Sequence, residues 1–191
     1  LYRQNPIEAD VVIGVPDSGI PAAIGYSEES KIPYGIGLVK NKYIGRTFIS
    51  PSQELREKSV KVKLNAIKKV VEGKRVVVID DSLVRGTTSK KIVKMLREAG
   101  AKEVHFRSAS PVVKNECYFG IDIATKKELI GSKMTLEEIR EKIDADSLDY
   151  LTLENLKLTL GGTNFCMGCF TGNYPITDME NKSLEDEDAD L

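Results

Sequence analysis

The segment from Val76 to Ser89 constrains the fold of this chain more than any other. It begins with three valines and Ile79, continues with Asp80 and Asp81, and ends in Ser-Leu-Val-Arg-Gly-Thr-Thr-Ser. An uninterrupted run of β-branched residues predicts a strand that is buried on both faces. The glycine and hydroxyl residues after it predict a tight turn and the start of a helix. The segment therefore predicts a strand–loop–helix unit of an α/β protein.

The same order of elements recurs along the chain. The sequence predicts apolar strands at 11–15, 34–39 and 103–109, and helices at 18–30, capped by Ser18, and at 88–99. Because these strands lack polar alternation and alternate with helices, we expect an α/β fold with a mostly parallel sheet of about five strands, flanked by helices. Right-handed crossovers bring the carboxyl ends of the strands to one edge, where ligands of such sheets bind.

The chain changes character after Pro111. A helix is expected at 135–143, where Thr135 and Glu138 have the spacing of a capping box, and a second helix at 149–160. These elements predict a small C-terminal hood beside the sheet rather than a continuation of the strand–helix pattern.

Three regions result from this division. Residues 1–130 are expected to form the core domain, and 131–180 a helical, cysteine-containing region packed on it. Residues 181–191 form an acidic tail whose composition favours disorder. The chain begins at Leu1 without a methionine, so we expect it to be part of a longer protein.

Composition limits the classes of partner. The 191 residues are 41% hydrophobic and 30% charged, as in ordinary globular domains, and the net charge is −1. Because the basic residues form no single patch, we expect neither a nucleic acid nor an anionic membrane as partner. No apolar run approaches the roughly 20 residues that span a bilayer. The single histidine, His105, lies in a predicted strand, and we expect it to be structural.

Asp80 and Asp81 are the first candidate ligand-binding residues. Two adjacent carboxylates at a strand end repel each other unless a cation or hydroxyl groups lie between them. A sugar chelated to Mg²⁺ supplies both, because Mg²⁺ takes one or two carboxylates together with substrate oxygens. The alternative is a turn that caps the next helix, and the dipeptide alone favours that alternative.

The residues that follow the acids change this balance. Gly86 allows the backbone to approach a ligand, and Thr87, Thr88 and Ser89 place three hydroxyls where a helix begins. Free amide groups and the positive end of the helix dipole favour a phosphate there. Taken alone, Thr87 to Ser89 would be explained equally well as an ordinary N-cap. The whole segment predicts a site for a ligand with both a sugar and phosphates.

As a unit, the segment 76–89 resembles the signature of the type I phosphoribosyltransferases, which bind phosphoribosyl pyrophosphate. The resemblance implies that fold. It also implies substrate-binding roles for Ser82, Arg85, Gly86, Thr87, Thr88 and Ser89.

A second loop, Val-Pro-Asp-Ser-Gly at 15–19, follows the first predicted strand. The corresponding loop of these enzymes holds pyrophosphate, so the resemblance implies substrate-binding roles for Asp17, Ser18 and Gly19. A capped turn between strand and helix is the alternative.

Three further segments narrow the resemblance to the glutamine phosphoribosylpyrophosphate amidotransferase family. They lie at 14–19, 40–49 and 166–172, and the likeness extends over 11–175. It implies that ammonia displaces pyrophosphate from phosphoribosyl pyrophosphate to give 5-phosphoribosylamine, which is the first step of de novo purine biosynthesis.

The same resemblance implies roles for individual residues. Mg²⁺ would bind Ser18, Asp80 and Asp81. The catalytic residues would be these two acids together with Lys40 and Arg46. The last two belong to a loop, 40–52, that would close over the substrate and exclude water from it.

The family also implies partners outside this chain. We expect a homo-oligomer and an N-terminal glutaminase domain that supplies ammonia from glutamine. Nothing in the 191 residues matches that domain.

The three cysteines, Cys117, Cys166 and Cys169, are too few for a disulfide scaffold, and their odd number would leave one unpaired. A Cys-x-x-Cys pair suits iron–sulfur or zinc in a reducing compartment, so we expect a cytoplasmic protein. The family resemblance implies three of the four ligands of a [4Fe–4S] cluster, with the fourth outside this chain. Three free thiols are the alternative.

The sequence leaves two other functions open. A base-salvage phosphoribosyltransferase would need a purine or pyrimidine pocket, and both the Cys-x-x-Cys segment and the 40–49 loop disfavour it. A non-catalytic sensor of phosphoribosyl pyrophosphate that regulates transcription would carry a DNA-binding part and a basic face, and neither is visible.

Overall fold

The computed structural model describes residues 1–41, 64–119, 125–162 and 165–176. Its strands are β1 (Val11–Gly14), β2 (Leu38–Lys40), β3 (Leu64–Ala66), β4 (Arg75–Asp80), β5 (Glu103–Ser108) and β6 (Ser147–Tyr150). Its helices are α1 (Ile20–Ser30), α2 (Lys68–Val71), α3 (Thr87–Glu98), α4 (Leu136–Ile143), α5 (Leu153–Leu160) and α6 (Gly168–Thr171), with short 3₁₀ turns at Lys126–Glu128 and Ile130–Ser132.

The main sheet has four strands in the order β1–β4–β5–β6, and every neighbouring pair is parallel. This confirms the α/β class with a mostly parallel sheet. The apolar run 76–79 is fully buried, as its uninterrupted composition predicts.

Helices cover both faces of the sheet. Ala23 and Tyr26 of α1 pack on one face. On the other face, α3 contributes the buried residues Ile92, Val93 and Leu96, at the spacing expected of one helix face. Gly100 follows the helix with φ +94°, a conformation that glycine adopts without strain.

The predicted strand 34–39 departs from expectation. Tyr34 makes one parallel bridge to Val12, and β2 then pairs antiparallel with β3 in a separate two-stranded ribbon. Residues 33–35 lie beside β1, and the chain then passes close to it at Gly37, where a Cβ would stand 2.6 Å from the Ile13 side chain. Within the described ranges the main sheet therefore has four strands, not five.

The region after Pro111 contains a strand that was not predicted. β6 pairs in parallel with β5, and a helix was expected from residue 149 although α5 begins only at Leu153. Four residues with alternating burial are too short a pattern to reveal a strand from sequence. The division at residue 130 stays a prediction, but 131–180 clearly contributes to the main sheet. The acidic tail 181–191 lies outside the described residues.

Two helix starts illustrate what capping residues do. The capping box of α4 is confirmed, because the Thr135 side chain accepts from the Glu138 N–H and the Glu138 carboxylate accepts in return from the Thr135 N–H. Ser18 does not cap α1: the N-cap position is Gly19, with no side-chain hydrogen bond. Among the described helices, none is long and apolar enough to cross a membrane.

The two predicted ligand loops emerge side by side. β1 and β4 are parallel neighbours with Gly14 opposite Ile79, and the Val15 N–H donates to the Ile79 carbonyl over 2.8 Å. The loops at 15–19 and 81–86 therefore leave the same edge of the sheet, as the carboxyl ends of adjacent parallel strands must.

Candidate active site

A cavity of about 360 Å³ lies at this edge of the sheet. Its lining comes from the two loops, the start of α3 and the ribbon: Val15, Pro16, Ser18, Leu64, Asp80, Asp81, Ser82, Val84, Arg85, Gly86, Thr87, Thr88 and Ser89. One cavity thus brings together most of the residues that the sequence singled out.

The loop after β1 is shaped by its glycine. The Pro16–Asp17 peptide is cis, and a Cβ on Gly19 would stand 2.3 Å from the carbonyl oxygen of Ile79. No side chain fits there, so the loop lies directly on β4 and presents Ser18 to the cavity. Asp17 turns instead to Lys40, whose Nζ donates to Asp17 Oδ2 over 2.9 Å.

Asp80 is buried with a relative exposure of 8%. Burial first, and then the negative charge of Asp81, raises its pKa to about 7. Its Oδ1 accepts the Asp81 N–H at 2.9 Å, and no cation of the described residues offsets the cost of burying it. Asp81 is exposed and accepts a hydrogen bond from the Ser82 hydroxyl over 3.2 Å. A buried carboxylate of this kind is disposed to receive a cation or hydroxyl groups from a ligand.

The start of α3 has the features of an anion site. Gly86 occupies the N-cap position with φ +75°, and no side chain caps the helix. Although Thr87, Thr88 and Ser89 stand at the helix start and line the cavity, the ordinary N-cap interpretation is therefore wrong for them. The uncapped first turn leaves its N–H groups available to an anion.

Arg85 borders the same cavity and is already paired. Its Nε donates to Glu128 Oε2 over 2.7 Å, from the 3₁₀ turn that precedes α4. Glu128 had no signal in the sequence, because the two residues are 43 positions apart.

The residues of the predicted loop at 40–52 are described only in part. Lys40 ends β2 and stands opposite Leu64 of β3, which lines the cavity. Arg46 and the stretch 42–52 lie outside the described residues. Leu64, Val84 and Pro16 are lining residues that the sequence did not mark, since apolar side chains carry no chemical signature of a site.

The donor set suits Mg²⁺ bound together with a substrate. Ser18, Asp80 and Asp81 offer hard oxygen atoms to one cavity, and the buried carboxylate lacks a cation. In the described part of the chain no group of three His, Cys, Asp or Glu side chains has metal-binding geometry, so substrate and water oxygens would have to supply the remaining ligands.

The cysteines do not form a metal centre among the described residues. Cys117 and Cys169 are half-buried and Cys166 is exposed, all as free thiols. Burial first, and then the neighbouring thiols Cys117 and Cys166, raise the pKa of Cys169, so the three thiols lie near enough to interact electrostatically. A [4Fe–4S] cluster on these three cysteines stays a prediction, since a bound metal itself deprotonates the thiols that ligate it.

The class of protein follows from its similarity to a known domain family. Residues 1–130 match the phosphoribosyl transferase domain family. The chain therefore belongs to this family, and its parallel sheet with helices on both faces is the type I phosphoribosyltransferase fold.

Its named relatives are more specific. The chain is 57% identical over 175 residues to the amidophosphoribosyltransferase of Methanocaldococcus jannaschii, 55% over 181 residues to that of Bacillus subtilis, and 54% over 179 residues to that of Synechocystis. The matches cover 92–93% of this chain but only 36–38% of those proteins. The chain thus spans little more than a third of the length of these curated relatives.

Solved structures agree with these relatives. The glutamine phosphoribosylpyrophosphate amidotransferase from B. subtilis, complexed with ADP and GMP, matches with a TM-score of 0.82 at 55% identity, covering 91% of this chain and 40% of that one. A structure described as the allosteric regulatory enzyme of purine biosynthesis matches with a TM-score of 0.81 at 54% identity, covering 91% and 39%.

Proposed function

We propose that this chain is the transferase part of an amidophosphoribosyltransferase. In this reaction ammonia displaces pyrophosphate from the anomeric carbon of phosphoribosyl pyrophosphate and gives 5-phosphoribosylamine. The single observation that carries the proposal is the juxtaposition, in one cavity, of a buried uncompensated carboxylate and an uncapped helix N-terminus. The names of the relatives support the choice of ammonia as nucleophile.

The 5-phosphate binds at the start of α3 in this proposal. The amide groups of the first turn and the hydroxyls of Thr87, Thr88 and Ser89 receive its oxygens, while Gly86 permits the close approach of the backbone. These contacts hold the sugar in place and supply orientation rather than bond-making chemistry.

The ribose lies over the two acids. Asp80 and Asp81 accept hydrogen bonds from the vicinal hydroxyls, with Ser82 beside them, and share with Ser18 the ligation of Mg²⁺. The ion, when bound, neutralises the charge that develops on the leaving pyrophosphate. Negative carboxylates beneath the ring also favour the positive charge that the sugar acquires as the bond to pyrophosphate breaks.

The bonding changes are simple. The anomeric C–O bond breaks and its electron pair leaves with pyrophosphate, a C–N bond forms from the lone pair of ammonia, and the resulting ammonium loses a proton to solvent. No general base is needed for a free amine. Lys40 and Arg46 are proposed to contact the pyrophosphate from the 40–52 loop.

Four further properties are proposed from the likeness to the longer relatives. A glutaminase domain as ammonia source, a homo-oligomer and a cytoplasmic location are proposed on the likeness to the relatives. A [4Fe–4S] cluster on Cys117, Cys166 and Cys169 would need a fourth ligand from outside the 191 residues.

Pyrophosphate release tests the proposal. The chain is supplied with phosphoribosyl pyrophosphate, Mg²⁺ and ammonia, and we expect release that depends on all three. Changing Asp80→Asn together with Asp81→Asn should reduce it at least about 100-fold, because both the metal and the hydroxyl contacts are lost. Asp10→Asn, which alters a carboxylate outside the cavity, is the matched control and should retain activity.

Three results would contradict the proposal. Release that survives the double substitution removes the assigned roles, and release driven by a free purine or pyrimidine base indicates a salvage enzyme. Tight binding without turnover by any nucleophile, together with retention on DNA, indicates a sensor.

A further inference from the structure

The loop at 15–19 contains a carboxylate that does not fit a pyrophosphate site. Pro16 and Ser18 line the cavity, but Asp17 between them does not. A carboxylate that contacts pyrophosphate directly, without the Mg²⁺ proposed to lie between the anion and Asp80 and Asp81, opposes its binding, since like charges repel at short range. The role of substrate ligand implied for Asp17 by family resemblance is therefore chemically unfavourable.

The structure gives Asp17 a different contact. Lys40 Nζ lies 2.9 Å from Asp17 Oδ2, in an ion pair whose side chains are 46% and 67% exposed. Lys40 ends β2 and is the register partner of Leu64, which forms part of the cavity wall. The ion pair therefore joins the ribbon that carries Leu64 to the loop that carries Ser18.

A lysine ammonium is suited to serve two anions at once. It has three N–H donors on a compact charge, so one can stay on Asp17 while the others reach phosphate oxygens. A long unanchored lysine loses considerable side-chain entropy when it binds a ligand, whereas one that is already held loses less.

We propose that Asp17 is a positioning residue that acts through Lys40. It holds the ammonium beside the pyrophosphate loop before the substrate arrives, and it does not itself contact pyrophosphate. This inference rests on the proposed function, because it takes the cavity to be the site of phosphoribosyl pyrophosphate.

The two possible roles of Asp17 predict opposite effects of one substitution. If the carboxylate only repels the ligand, Asp17→Asn tightens binding. If it positions Lys40, Asp17→Asn weakens binding of Mg²⁺–phosphoribosyl pyrophosphate and raises KM by about three- to fivefold, the scale of an exposed ion pair. We expect kcat to change less than about twofold, because the contact is made in ground state and transition state alike.

The experiment combines titration calorimetry with steady-state pyrophosphate release. Wild type is compared with Asp17→Asn, Asp17→Glu, Lys40→Gln and the double variant Asp17→Asn/Lys40→Gln. We expect the glutamate to restore most of the affinity, and the double variant to bind like Lys40→Gln alone. Asp10→Asn removes a carboxylate from another ion pair, with Arg75, and should leave KM unchanged.

Each other outcome overturns the inference. Equal or tighter binding by Asp17→Asn assigns the residue a repulsive or neutral role. A further loss when Asp17→Asn is added to Lys40→Gln shows that Asp17 does not act through the lysine. A melting temperature measured for every variant separates these effects from loss of folding. Wild-type protein that binds no phosphoribosyl pyrophosphate overturns the proposed function as well, which the other outcomes do not.

Discussion

The carboxylates at the two ends of strand β4 have pKa values shifted in opposite directions. At the amino end, Asp10 meets Arg75, which donates to it from both its side chain and its backbone N–H, and these hydrogen bonds lower the pKa of Asp10 to about 2. At the carboxyl end, Asp80 is buried without a cation and its pKa is raised to about 7. The comparison shows that the carboxylate at the amino end is paired within the protein, whereas the one at the carboxyl end has no cation partner among the described residues.

The difference has an energetic meaning. A carboxylate paired within the protein contributes to folding, whereas one buried without a partner opposes folding as soon as it ionises. Retaining Asp80 therefore lowers stability at neutral pH, and the ligand-binding role proposed for it would account for that cost.

The pH dependence of stability is the largest expected difference between the two ends. Because the pKa of Asp80 is raised above its usual value of 3.8 to about 7, the ligand-free folded state binds more protons than the unfolded state between these values. This group therefore makes stability fall as pH rises from about 4 to 7, by roughly 4 kcal/mol at most.

Asp80→Asn is expected to remove this loss. Denaturant unfolding at pH 4 and pH 8 should show that the variant is more stable than wild type at pH 8 and little different at pH 4. An unchanged pH profile in the variant would mean that Asp80 is not the group responsible.

The next effect concerns the backbone at the carboxyl end. Gly19→Ala places a Cβ 2.3 Å from the Ile79 carbonyl oxygen, which cannot move without breaking the sheet. We expect a loss of stability of about 3 kcal/mol, measured by chemical denaturation. Gly25→Ala in α1 is the matched control, because its Cβ meets nothing within 4 Å and alanine favours the helix. A mild effect of Gly19→Ala would show that the loop is less tightly seated than its contacts indicate.

The smallest effect is expected at the amino end. The pKa of Asp10 is lowered, so its contribution is present above about pH 4 and is lost as pH falls towards 2. Since the pair is partly exposed, solvent screening limits the loss in Asp10→Asn at pH 7 to under about 1 kcal/mol. The variant and wild type should converge in stability near pH 2, and divergence there would contradict the assignment.

Much of the site was predictable because its parts are local. The run 76–79, the acids after it and the hydroxyl-rich turn are consecutive, so strand, loop and helix start could be placed from sequence alone. The capping box of α4 is an equally local signal, and it was confirmed.

What sequence could not provide depends on distant contacts. The pairing of Lys40 with Asp17 spans 23 positions, and that of Arg85 with Glu128 spans 43. The burial of Asp80 depends on the surrounding structure and not on its neighbours in the chain. β6 was missed because its short alternating pattern is decided by pairing with β5 rather than by its own composition.

Proton release on ligand binding tests the central claim most directly. If Asp80 ionises when Mg²⁺ and the ribose hydroxyls arrive, binding at pH 7 should release roughly half a proton from this group. Calorimetric titration of Mg²⁺–phosphoribosyl pyrophosphate in two buffers of different ionisation enthalpy measures that release, and the same titration of Asp80→Asn subtracts the protons of the ligand. We expect wild type to release this extra fraction of a proton. Equal proton release by the two proteins, with both binding the ligand, would contradict the claim that Asp80 ionises when the substrate binds.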